Sequence, residues 1–176
     1  MTLTMTLDPR IDDELRESMV RLWTDASNAG GAVGFVAPVT AAEVRTAAGK
    51  NLAGVGPGLP DRLLVAHEAD SGRLAGFLFF EDLRFAPMDH WRMLKAVMVH
   101  PDFQGLGYGR ELMAEAARIA RDWKLSGLRL TARGGHGLET FYGRCGYTEI
   151  GRAPRAIRVA PGDERDEVTM WLDLSR

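Results

Sequence analysis

Three glycines at alternate positions, Gly105, Gly107 and Gly109, follow the run Ala96-Val97-Met98-Val99-His100-Pro101-Asp102-Phe103-Gln104 and precede Arg110-Glu111-Leu112-Met113. The first run has the apolar character of a strand and stops at a proline. The second opens a helix. Glycine accepts positive φ and lets a ligand come close to the chain, so several N–H groups of such a turn can converge. The first N–H groups of the helix lack partners inside it, and the helix dipole places partial positive charge there. The chemistry this permits is the grip of main-chain amides on a phosphate. The spacing excludes two other phosphate loops. No Lys-Ser or Lys-Thr pair closes the turn to hold magnesium. Nor do the glycines fall as Gly-x-Gly-x-x-Gly with an acidic residue about 20 positions later to hold a ribose.

The elements around that turn can be read from periodicity. Residues 2–7 alternate Thr with Leu or Met, as a half-buried strand does. Asp8-Pro9 is a cap and first turn for a helix over residues 9–27, with Ile11, Leu15, Leu22, Trp23 and Ala26 on one stripe. An unusually apolar connection, Gly31-Ala32-Val33-Gly34-Phe35-Val36-Ala37-Pro38, follows. Thr40 and Glu43 fit a capping box opening a helix to about residue 48. Residues 51–60, with Gly54, Gly56, Pro57 and Gly58, form a mobile loop with no strong helix behind it to make a second phosphate cradle. Residues 62–69 and 74–83 pair across a hairpin turn. Residues 91–99 are the next strand, with Met93, Lys95, Val97 and Val99 on one face. A helix from the glycine turn to residue 124 carries the stripe Leu112, Ala116, Ile119, Ala120 and Trp123. A strand over 128–132, a glycine-rich loop, a short helix over 138–144 and a strand from 147 come next. A polar loop over 154–166 leads to the last strand, 168–174. This order predicts an α/β fold, a mixed and mostly antiparallel sheet with helices on both faces.

Read as Gln104-x-x-Gly107-x-Gly109, the turn resembles the acetyl-coenzyme-A signature of the GCN5-related N-acetyltransferases. Phe141-Tyr142-Gly143-Arg144-Cys145-Gly146-Tyr147 is similar to that family's aromatic helix and the Gly-aromatic strand start after it. The likeness covers roughly residues 60–174. It implies a single acetyltransferase domain over residues 1–176, with a splayed parallel strand pair between the strand ending at Val99 and the one over 128–132. Strand amides left unpaired at such a split need partners, and the pantetheine arm has amides to offer. Met98 and Val99 are thus candidates for main-chain contacts to the arm. Gln104, Gly105, Leu106, Gly107, Tyr108, Gly109 and Arg110 would hold the pyrophosphate, and His136 could touch the coenzyme.

The reaction implied is acetyl transfer from acetyl-coenzyme A to a primary amine by direct attack in a ternary complex. It needs a base for the ammonium proton and an acid for the leaving thiolate. The resemblance makes Tyr142 the acid. Glu81 and His90, near strand ends on the family's substrate side, are candidates for the base. Histidine titrates near neutrality. The stretch from Gly30 to Phe35 further resembles the tabtoxin-resistance acetyltransferases, in which an acidic residue would be sought where Met93 stands. Val33 and Phe35 are then expected to line an acceptor pocket for a small amine, such as an antibiotic or toxin. A peptide or protein N-terminus as acceptor, and a non-catalytic coenzyme-A sensor, are the alternatives.

Composition bounds the partners. The chain has 176 residues, 45% of them hydrophobic, with a net charge of −2. That balance argues against a broad nucleic-acid surface. No apolar run reaches membrane-spanning length, and the start lacks the pattern of a signal peptide. A cytoplasmic monomer or homodimer is expected. The single cysteine, Cys145, excludes an internal disulfide framework, and the four histidines lack the spacing of a metal site.

Overall fold

The computed structural model describes residues 2–135 and 137–175. Seven strands form one sheet: β1 (Leu3–Leu7), β2 (Arg62–Glu68), β3 (Leu74–Glu81), β4 (Trp91–Val99), β5 (Gly127–Arg133), β6 (Thr148–Ala160) and β7 (Asp163–Asp173). Their spatial order is β1-β2-β3-β4-β5-β7-β6. All neighbours are antiparallel except β4 and β5. Helices α1 (Asp13–Asn28) and α2 (Ala41–Leu52) cover one face, and α3 (Tyr108–Asp122) and α4 (Leu138–Arg144) the other.

Strand alternation sorts the apolar side chains into two cores. Leu63, Val65, Phe77 and Phe79 meet Met19, Leu22, Trp23 and Val44 of α1 and α2. Leu64, Leu78, Phe80, Leu128 and Leu130 meet Leu112, Ala116 and Ile119 of α3. Burial of each large side chain contributes roughly 1.5–3 kcal/mol, which is what fixes both helical layers to the sheet.

Two features of β4 create the site. Its pairing with β5 covers only Trp91, Arg92 and Met93, set against Gly127, Leu128 and Arg129. Beyond Met93 the two strands part. The second feature is a bulge at Ala96, which has φ +48° and shifts the register against β3 between Phe77 and Phe79. The strict alternation expected to put Met93, Lys95, Val97 and Val99 on one face fails there. Ala96 and Met98 pack into the α1–α2 core, whereas Val97 packs with Leu94 on the α3 side. One inserted residue turns every later side chain over.

Three other boundaries differ from the sequence reading. Helix α1 starts at Asp13 rather than residue 9, capped by Asp12, whose carboxylate accepts the Leu15 N–H. Asp8 is used elsewhere: it accepts from the Leu63 N–H at 2.9 Å and pairs with Arg62. Helix α2 has the expected capping box but continues to Leu52, four residues further. The polar stretch expected to be a loop over 154–166 is largely strand. Arg155 and Arg158 both pair with Glu164, and Arg152 pairs with Asp166. These cross-strand ion pairs stabilise a long hairpin that its composition disguises.

Candidate active site

The glycine turn sits where β4 ends and α3 begins. Gly107 caps α3 with φ +88°, and Gly105 has φ +78°. A Cβ placed on either would meet nothing within 4 Å, so the backbone borders open space on that side. The N–H groups of Gly105, Leu106, Gly107, Tyr108 and Gly109 have no acceptor among the described residues. At the ends of the predicted grip the amides are engaged: Gln104 N–H donates to Pro101 O, and Arg110 N–H to Gly107 O. Gln104 acts through its side chain, whose Nε2 donates to Val99 O at 3.2 Å and ties the turn to the strand. The Tyr108 ring is sealed in the core beside Phe103, so only its main chain faces outward, whereas Leu106 is exposed.

Backbone direction separates Met98 from Val99. His100 N–H donates to Ala75 O on β3. Groups on a strand point alternately to either side, so Val99 directs its N–H and C=O into the gap and Met98 directs its own toward β3. The Met98 carbonyl lies 2.7 Å from where a Cβ on Gly76 would stand, which agrees with that direction. Of the two residues expected to offer main-chain groups to a ligand in the gap, only Val99 is oriented to do so.

The gap opens into a cavity of about 430 Å³. Trp23, Val33, Phe35, Ala47 and Asn51 line it from the α1–α2 face, and Tyr142 lines it beside β5. Met93, Lys95, Ala96 and Val97 of β4 and Leu130 and Thr131 of β5 form its sides. The cavity thus joins the two faces of the sheet, and it brings Val33, Phe35 and Tyr142 together. The loop carrying Val33 and Phe35 is fastened by three side chains. Trp23 Nε1 donates to Val33 O at 2.7 Å, Arg133 donates to Gly30 O at 2.8 Å, and Asn28 both donates to and accepts from the Val39 backbone. The wall is therefore preorganised. The sequence marks Trp23 and Val97 only as helix-stripe and strand positions, and Asn51 and Thr131 not at all, because nothing local separates any of the four from ordinary core or surface residues.

The Tyr142 ring is buried, yet its hydroxyl has no hydrogen-bond partner among the described residues and is not one of the sealed, unpaired polar atoms. Tyr142 is one of the residues lining the cavity. Burial, with a smaller effect from the Cys145 charge, pushes the phenol above its ordinary value. Burial raises the neighbouring Cys145 thiol as well. Glu81 lies outside the main cavity and pairs with Lys95 at 2.6 Å. It lines an adjoining cavity of about 500 Å³ that shares Ala47, Asn51 and Lys95 with the first. His90 is more than half exposed, 4.0 Å from Asp89, and does not line either cavity. His136 lies outside the described residues. Among the described residues no three His, Cys, Asp or Glu side chains come together as metal ligands, and no helix is long and apolar enough to cross a membrane.

The model of the acetyltransferase (GNAT) domain family matches residues 60–149, which include β4, the glycine turn, α3 and Tyr142. The chain belongs to this family and is an acetyl-coenzyme-A-dependent N-acetyltransferase. Its fold resembles a crystal structure provisionally named as a phosphinothricin N-acetyltransferase, at 20% identity and a TM-score of 0.81, over 99% of this chain and 100% of that one. A GCN5-related N-acetyltransferase from Kribbella flavida aligns over 98% of both chains at 19% identity and a TM-score of 0.77. The provisionally named acetyltransferase yncA from Salmonella typhimurium, solved with its cofactor acetyl-CoA, aligns at 19% identity and a TM-score of 0.75, over 100% of this chain and 96% of that one. At these identities the likeness is one of fold. No curated protein matches the chain at a significant level.

Proposed function

We propose that the protein acetylates the primary amine of a small molecule, with both substrates bound at once in the gap between β4 and β5. The observation carrying this reading is the cavity through the sheet, which joins Val33 and Phe35 on one face to Tyr142 on the other. The amine acceptor would rest against Val33 and Phe35. Acetyl-coenzyme A would lie along the gap, with its pyrophosphate on the free amides of residues 105–109 and its pantetheine amides on Val99. When bound, it supplies an activated acyl thioester.

Tyr142 keeps its proton because burial disfavours the phenolate. Its hydroxyl donates a hydrogen bond to negative charge developing on the departing sulfur. The attacking nitrogen loses its second proton as the amide forms, and that proton replaces the one Tyr142 passes to the sulfur, so the C–S bond breaks to a thiol and the buried phenol ends neutral. Glu81 takes the ammonium proton of the acceptor through water in the adjoining cavity, a polar space large enough to hold it. Lys95 holds that carboxylate in place through their 2.6 Å contact. His90 is not part of this reading, because it lines neither cavity.

The likeness to a structure named for phosphinothricin puts amine-bearing antibiotics and toxins first among acceptors to try. The test is a panel of small primary amines incubated with acetyl-coenzyme A, with free thiol release as the readout. Amine-dependent release supports the reading. Release only with peptide N-termini would overturn it.

A further inference from the structure

A larger cavity, about 850 Å³, lies away from the gap, between the start of α1 and the loop that follows α2. Its floor is apolar, with Ile11, Leu52 and Val55. Its charge is unbalanced: Arg10, Arg16 and Arg62 line it, and Asp8 is the one acidic side chain among the lining residues. Asp8 is committed to Arg62 and to the Leu63 N–H. The guanidinium groups of Arg10 and Arg16 have no hydrogen-bond or ion-pair partner among the described residues. The rim is the glycine loop after α2, and there the N–H groups of Gly56 and Gly58 also lack acceptors among the described residues. Two guanidinium groups with no direct hydrogen bond or ion pair, free amides and an apolar floor in one concavity match an anion that carries an apolar body.

We propose that this cavity binds a small organic anion, carboxylate- or phosphate-headed, with its head between Arg10 and Arg16 and its apolar body on Ile11 and Leu52. The loop expected from its sequence to be a plain connection is then one wall of a second site. The two sites lie on different sides of α2: Gly49 and Leu52 line this one, whereas Ala47 and Asn51 line the gap.

The test uses the full chain saturated with coenzyme A, so that a phosphate probe cannot report on the glycine turn at α3. Benzoate, phenyl phosphate and the cation benzylamine are titrated by calorimetry. At least one of the two anions is expected to bind with a Kd of about 1 mM or tighter, and benzylamine much more weakly. Which anion binds better identifies the head group. The double variant Arg10→Ala, Arg16→Ala is expected to weaken anion binding by about tenfold or more, with little change in melting temperature because neither guanidinium makes a direct hydrogen bond or ion pair among the described residues. Phe35→Ala, in the gap, is expected to leave it unchanged. Absence of anion binding, equal binding of benzylamine, or binding that survives the double variant or is lost in Phe35→Ala would overturn the proposal.

Discussion

Glu81 on β3 is the register partner of Met93 on β4. Cross-strand partners present their side chains on the same face, so a carboxylate stands one strand away from the apolar side chain that lines the gap. Lys95, two residues along β4 from Met93, reaches back to Glu81 at 2.6 Å. A carboxylate therefore stands one strand away from position 93, on the face where the acceptor is proposed to bind.

If Glu81 accepts the ammonium proton, Glu81→Gln lowers kcat by about 10²-fold and leaves the Kd for acetyl-coenzyme A unchanged. Steady-state thiol release and calorimetry measure the two quantities. An unchanged kcat would remove Glu81 from the reaction.

Tyr142→Phe is expected to lower kcat by about 10²-fold with little effect on coenzyme affinity. The wild-type pH profile gives a second check. A phenol raised above its ordinary value of 10.0 holds its proton at a pH where an ordinary tyrosine begins to lose it. The rate per neutral amine should therefore stay level up to about pH 10. A fall in that rate between pH 8 and 10, absent in Tyr142→Phe, would contradict the raised phenol, and an unchanged kcat in Tyr142→Phe would remove Tyr142 from the reaction.

Glu68 closes the β2–β3 hairpin by accepting from the Ser71 hydroxyl at 2.6 Å and the Ser71 N–H at 2.7 Å. The Ser71 hydroxyl first, then its amide, holds the carboxyl below its ordinary value of 4.5. A depressed carboxyl stabilises the fold above its unfolded value, and that stability is lost as pH falls through the folded one. Glu68→Gln should therefore lower the urea midpoint at pH 7, and the gap from wild type should narrow below pH 4.5. An equal gap at pH 7 and well below 4.5 would show that the charge contributes nothing.

Gly107→Val places a branched side chain at φ +88° on the rim of the turn. The strain is of order 1–3 kcal/mol, so the free protein should melt a few degrees lower. In wild type, acetyl-coenzyme A at about 100 times its Kd stabilises by about 2.7 kcal/mol. Thermal unfolding of the variant should show no such rise. A rise equal to the wild-type one would place the diphosphate elsewhere.

Much of this was legible in the sequence, for local reasons. The glycine turn, the Thr40–Glu43 capping box and the α3 stripe each depend on residues within a few positions of one another. The bulge at Ala96 was not legible, because no glycine or proline marks it and the alternation of Met93, Lys95, Val97 and Val99 looks unbroken. Asp8 looked like a helix cap because its competing partners, Leu63 N–H and Arg62, lie more than 50 residues away. The hairpin over β6 and β7 was hidden by charges that pair only once the strands are side by side. Candidate site residues followed the same division. The turn could be read from spacing, whereas the pairing of Glu81 with Lys95 and the place of Tyr142 on the wall of the gap depend on packing across the sheet.

Backbone amide NMR during titration with coenzyme A is the most direct examination of the grip proposed for residues 105–109. Five N–H signals, those of Gly105, Leu106, Gly107, Tyr108 and Gly109, should move downfield together as the ligand saturates, while Gln104 and Arg110, already hydrogen-bonded, move less. Saturation with those five signals unmoved would mean that the diphosphate is held by other groups.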